Sequence, residues 1–265
     1  MTSLPLRLYI EGVGVWSPQL AGFPALCEVL AGAMPTPPAK APTASILPPA
    51  ERRRAPACVR LALEVAQQAT AASGRELATL PCVFASSHGD QATTDYMCAT
   101  LAREPLELSP TRFHNSVHNA AAGYWTIAVG CRAASSAVSA GRASFGAGLL
   151  EAGSQVLGND EAVLLACADT VGVGPMYEVT GCREAFGCAL VLAPQRSANT
   201  LARVDVQLTS VLPEPPLPEP LASWCSNSPS APALALLALL ARGGGHCQLA
   251  AAPALGLHID LERIP

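Results

Sequence analysis

The sequence predicts an α/β fold. Apolar stretches that would lie buried on both faces of a sheet recur along it, as in Glu161–Ala168 (EAVLLACA) and Ala185–Leu192 (AFGCALVL). Between them lie stretches whose apolar and small residues follow helical spacing. The two kinds alternate, and half of the 265 residues are apolar, enough to bury a sizeable core beneath covering helices.

Leu6–Val15 (LRLYIEGVGV) reads as a strand entering a glycine-bearing turn, and Phe23–Ala33 as a short helix. Residues 34–50 form a proline-rich loop, and the arginine triplet Arg52–Arg54 that follows reads as a solvated helix start. In Pro56–Ser73 the apolar positions Val59, Leu61, Leu63, Val65, Ala66 and Ala69 are read as helical spacing, with Gly74 as the stop. Pro81–Ser86 is a short buried strand and Asp90–Ala102 a helix. Ser135–Ala140 is a strand of small residues. Ser144–Leu157 is a helix closed by Gly158, and the strands Glu161–Ala168 and Ala185–Leu192 complete the run. Composition changes after Pro194. A linker dense in proline and serine covers 211–232, followed by one helix, Ala233–Ala241, and one strand, Gly256–Leu261. The predicted division is therefore 1–194 as the folded unit and 195–265 as an extension.

Composition excludes several classes of function. Net charge is −4 and no basic run exceeds the arginine triplet, so nothing tracks a phosphate backbone. The longest apolar run, Ala233–Ala241, falls well short of the roughly 20 residues of a membrane span. The N-terminus lacks the basic region and apolar core of a secretory signal. The ten cysteines are scattered with no CxxC pair, and no histidine or carboxylate set surrounds Cys182 and Cys188, so the reading is buried thiols in a reducing cytoplasm, with no metal and no cofactor. Only 14% of residues are charged, which fits either a large buried interface or an alanine-rich bias.

The order of several words resembles the N-terminal half of a β-ketoacyl synthase, from about residue 6 to 194. YIEGVGVWSP is similar to the first strand and turn of that thiolase-like fold, and AAGYWTIAVG to the segment leading toward its nucleophile. GNDEAVLLACADT resembles the strand after the nucleophile helix, and AFGCALVLAP the last strand of the half. The resemblance implies a half-thiolase fold, layered αβα, with a short C-terminal extension.

It also exposes a loss. The family places a cysteine at a strand-to-helix elbow, where a helix N-terminus lowers its pKa and backbone N–H groups hold the oxyanion. Laid over that pattern, the nucleophile position falls on Arg142, or on Gly141 with a slip of one, and no cysteine lies between Cys131 and Cys167. Ser139 and Ser144 flank the elbow, but G-R-A-S-F-G is not the G-x-S-x-G of a serine nucleophile. The family's two catalytic histidines come from a second half, for which the residues after Pro194 are too few; His246 and His258 stand outside its motifs.

The stretch Arg112–Gly130 is polar, then small, then aromatic. His114 and His118 would share a helix face and could approach a metal, but no carboxylate or cysteine completes a set. Tyr124 and Trp125 are either core anchors or functional. The resemblance implies the second: in ketosynthase pairs this region and the next strand lie near the two-fold axis and close the partner's acyl tunnel. Phe113, His114, His118, Tyr124, Trp125 and Ala137 are then the tunnel-lining or interface residues. The wording HNSVHNAAAGYW resembles short ketosynthase-like proteins of aryl-polyene pathways. The implied function is a chain-length factor without catalysis of its own, paired with an active β-ketoacyl-ACP synthase and reaching acyl carrier protein through that complex. A stand-alone acyl-binding or scaffolding protein is the alternative, and a thiolase-fold enzyme of unrecognised chemistry a third.

Overall fold

A computed structural model describes residues 5–38, 40–210 and 217–264. In chain order the elements are β1 (Leu6–Trp16), α1 (Phe23–Leu30), α2 (Pro49–Arg54), α3 (Ala57–Ser73), β2 (Cys82–Ala85), α4 (Gln91–Arg103), α5 (Pro110–His114), α6 (Ala120–Val129) and β3 (Ser135–Val138). Then come α7 (Ser144–Asn159), β4 (Val163–Asp169), α8 (Met176–Thr180), β5 (Phe186–Ala193), β6 (Ala202–Thr209), α9 (Leu221–Asn227), α10 (Leu234–Arg242), β7 (Gly244–Ala252) and β8 (Leu255–Arg263). All the strands join one sheet in the order β3–β2–β4–β5–β1–β6–β8–β7. β2 pairs parallel with β3 and β4, and β5 runs antiparallel to its neighbours β4 and β1.

The central strands are apolar throughout because both their faces are covered. Every residue of β4 and β5 is buried. On one face Leu164, Ala166, Ala189 and Val191 meet α3 and α6; on the other Leu165, Cys167, Leu190 and Leu192 meet α7 and α10. Helix α3 lies almost directly on β1. A Cβ at Gly12 would overlap the Ala69 carbonyl oxygen and one at Gly14 the Val65 carbonyl oxygen, so the two glycines make this close approach possible. Gln68 of α3 accepts a hydrogen bond from Val15 N at 3.0 Å, tying helix to strand at that approach.

Beyond Pro194 the structure is richer than one helix and one strand. Three strands, β6, β8 and β7, extend the sheet past β1, and α9 precedes α10; the opening of the proline-rich linker, 211–216, lies outside the described residues. β6 carries a clean strand alternation, with Ala202, Val204 and Val206 buried and Arg203, Asp205 and Gln207 turned outward. β7 (GGHCQLAAA) lacks β-branched and aromatic residues, so propensity gives no strand signal there, and pairing with β8 supplies what local preference does not. The arginine triplet ends α2 instead of starting it, which sets three cations at the negative end of the helix.

A buried ion pair fastens β1 to the loops at its far side. Glu11, 1% exposed, receives both Arg75 Nε (2.7 Å) and Arg75 Nη2 (2.8 Å), and the Ser197 hydroxyl. Burial alone would raise the Glu11 carboxyl, but the guanidinium and hydroxyl outweigh it and hold the group below the usual carboxylate range. A lowered folded-state pKa adds stability above the unfolded value, lost as pH falls through the folded one. Glu11→Gln should therefore cost about 1–3 kcal/mol at pH 7 in urea unfolding, discounted for the partly exposed Arg75, and the penalty should shrink toward pH 3. Trp125, with no exposed surface, packs on Phe84 of β2 at 6.4 Å between ring centroids. Trp125→Ala should lower unfolding free energy by about 3–5 kcal/mol in the same assay.

Candidate functional site

β1, β2, β3 and β4 point the same way, so their carboxyl ends share one edge of the sheet, where ligands of open α/β folds bind. That edge holds the loop Ser86–Asp90 after β2, the turn Ser139–Ala143 after β3, and Asp169, the last residue of β4.

Asp169 is fully buried and accepts hydrogen bonds from Ser86 Oγ (2.8 Å), Ser87 N (2.9 Å), His88 N (3.4 Å) and the Ser230 hydroxyl. Burial drives its carboxyl upward, against the pull of these donors. Among the described residues no cation pairs with it. Cys167 Sγ donates to Ser230 Oγ at 3.4 Å, extending the network inward. Asp169 was not singled out from the sequence, although a lone acid ending an all-apolar strand was a usable signal.

The turn from β3 into α7 carries Gly141 and Arg142, where the family resemblance implies the nucleophile position. Gly141 takes φ +57°, a left-handed conformation that turns the chain. Ser144 Oγ accepts from Ala140 N (2.9 Å) and donates to Gly141 O (2.7 Å), and Ser139 Oγ donates to Ser87 O (3.0 Å). Both hydroxyls are thus bonded to backbone groups, and among the described residues neither is hydrogen-bonded to a histidine or carboxylate that could act as base. Arg142 reaches across to the end of α9, where Nη2 donates to Cys225 O at 2.6 Å and Nη1 to Ser226 O at 3.5 Å. The next carbonyl, Asn227 O, receives Arg183 N (2.8 Å) and Glu184 N (3.1 Å). The carbonyl end of α9 is therefore pinned beside the elbow. The buried thiols are poor nucleophiles: desolvation pushes Cys82 and Cys182 up to about 12, and Cys58, Cys167 and Cys188 are also driven up. Among the described residues no group of three or more His, Cys, Asp or Glu is arranged to hold a metal ion, and no helix is long and apolar enough to cross a membrane.

The segment 112–124 does not form one helix. Ser109 caps α5 by accepting from Arg112 N, Pro110 starts it, and a turn from Asn115 to Asn119 separates it from α6. His114 and His118 consequently do not share a helix face. His118 Nε2 lies 3.0 Å from Ser86 O, and the His114 ring meets Tyr124 edge-on at 6.4 Å. Tyr124 OH donates to Asn115 Oδ1 at 3.1 Å, and burial raises its phenol. His114 and Tyr124 line an apolar groove of about 370 Å³ with Ile46, Leu47, Val117 and Ile127. Trp125 faces the opposite way, into the core. Phe113 is 56% exposed, and Ala137 is exposed on β3, the edge strand of the sheet.

The sequence profile described as "Beta-ketoacyl synthase, N-terminal domain" matches residues 31–213. No curated protein sequence matches the chain. Among solved structures, one titled as the ketosynthase ApeO in complex with its chain length factor ApeC from Xenorhabdus doucetiae superposes with TM-score 0.72 at 22% identity, over 96% of this chain and 99% of that one. The ishigamide ketosynthase/chain length factor gives TM-score 0.72 at 17% identity, over 98% and 100%. A β-ketoacyl synthase from Burkholderia phymatum gives 0.62 at 14%, over 79% of this chain but 65% of that one. These likenesses share the thiolase-like fold, and with the profile covering well over half of its length, the chain belongs to the β-ketoacyl synthase N-terminal domain family.

Proposed function

We propose that the chain is a chain-length-factor-like subunit, without condensing activity, that pairs with an active β-ketoacyl-ACP synthase in polyene or fatty-acyl elongation in the cytoplasm. The observation that carries the proposal is Arg142: at the elbow where the family keeps its thiolate stands a guanidinium bonded to the carbonyls of Cys225 and Ser226. In this reading residues 1–194 are the ketosynthase-like half and 195–265 the extension that continues its sheet. Two surface features support a partner. The outer edge of β3 is unpaired, short, and carries no lysine or proline to blunt it. Close by in sequence, Phe113, Val117 and Ile127 are 56%, 51% and 83% exposed. The complexes matched over nearly their whole chain include two whose printed descriptions pair a ketosynthase with a chain length factor. Phe113, His114, His118, Tyr124, Trp125 and Ala137 are the proposed partner-facing and tunnel-end residues, Trp125 acting from the core behind Tyr124, and acyl carrier protein is reached through the pair.

Incubating the purified chain with an acyl-carrier thioester should give no adduct by intact-protein mass spectrometry, whereas stoichiometric acylation of any cysteine would contradict the proposal. Co-expressed with its cognate ketosynthase, the chain should elute as one heterodimer burying more than about 2,000 Å². Ala137→Lys should split it into two peaks on size exclusion, because the ammonium would be buried unpaired at the seam. Two separate peaks for the unmodified pair would favour a stand-alone acyl-binding protein.

A further inference from the structure

A second cavity, of about 530 Å³, opens at the carboxyl edge of the sheet between Trp16, at the end of β1, and the loop that follows Asp169. The size lies within the roughly 300–1,000 Å³ of small-molecule sites. Its wall combines two chemistries. Arg54, Arg60 and Arg112 line it against a single carboxylate, Asp90, which already accepts from the Thr93 hydroxyl. Three arginines line this one cavity although the whole chain carries net charge −4. Among the described residues neither Arg60 nor Arg112 has a carboxylate at ion-pairing distance, and Arg54 has only Glu51 at 3.8 Å. The Arg112 guanidinium carbon lies over the Tyr96 ring, 4.1 Å from its centroid, a cation–π contact that restrains the fork before any ligand arrives. Apart from Thr93, Asn115 and Thr170 the rest of the wall is apolar, and Val171 and Val173 are each 40% exposed, wet surface that a ligand body would cover.

We propose that this cavity binds an amphipathic anion: one carboxylate or phosphate head held by Arg60 and Arg112, with a short apolar body laid along Trp16, Val171 and Val173. Planar guanidinium groups grip both kinds of head through paired N–H bonds, and the apolar wall selects against bare ions. The site is built from this chain's own residues, so the proposal stands apart from whether the chain pairs with a ketosynthase. Calorimetric titration of the full chain with octanoate, octyl phosphate, octanol and inorganic phosphate tests it. At least one of the two amphipathic anions should bind about tenfold or more tighter than octanol and than inorganic phosphate, and the tighter of the two identifies the head. Arg60→Gln and Arg112→Gln should each weaken that anion by about tenfold while leaving octanol unchanged. Arg54→Gln, on a side chain 66% exposed, gives a variant whose folding is not at risk and should weaken the anion in the same direction. Equal affinity for octanol and octanoate together with octyl phosphate no tighter than either, binding of inorganic phosphate as tight as octyl phosphate, or unchanged anion affinity in all three variants would each overturn the assignment.

Discussion

A single buried carboxylate organises the working edge of this molecule. Asp169 ends one of the two fully buried strands and gathers the β2 loop through Ser86, Ser87 and His88, and the distant Ser230 through its hydroxyl. The residues it gathers hold others in turn: Ser87 O receives the elbow hydroxyl Ser139, and Ser86 O meets His118. Four separate stretches of chain thus converge on one acid. A buried acceptor left without donors costs on the order of 1–3 kcal/mol, so satisfying all of these at once fixes one arrangement against its alternatives.

The C-terminal residues belong to the same architecture. Ala250 of β7 crosses α7 so closely that a Cβ at Gly146 would overlap its carbonyl oxygen. Helix α10 closes the apolar face of β7 and β8, while Arg203, Asp205, His258 and Asp260 turn the opposite face to water. The sheet is therefore covered on both sides at its centre and on one side at this end, and the polar alternation of β6 and β8 follows from that difference.

How much was legible follows the same logic. The strands β1, β2, β4 and β5 were readable because burial writes itself into composition, as VLLACAD and FGCALVLA show, while β3, with no buried residue, was read only as a short run of small residues. Helix α3 was readable from its spacing and its stop at Gly74, whereas α7 was readable from its spacing only: Gly158 lies inside it, and Asp160, at φ +52°, ends it. β6 was missed despite its alternation, and β7 because small residues carry no strand preference. The site was legible only in part. Arg142 could be placed at the elbow by the order of surrounding words, but its grip on α9 joins residues 83 apart in sequence, and Ser230 lies 61 from Asp169; no local pattern records such pairings. The helical spacing of His114 and His118 misled because α5, started by Ser109 and Pro110, ends at His114 with Asn115 as its C-cap, before it reaches His118.

The sheet has two ends, and they differ. β3 pairs parallel with β2 and, among the described residues, with no strand on its outer side. β7, at the other end, opens with Gly244 and Gly245 at φ +147° and +127° and carries a register shift between Ala250 and Ala252. Glycine and bulges spoil a strand as a template for its neighbour. In the proposed pair, joining through β3 would leave β7 as this chain's outer edge, so sheet-to-sheet growth would end there. The irregular hairpin is a stop against open-ended filaments, a hazard that any protein with two regular edges carries into a crowded cell.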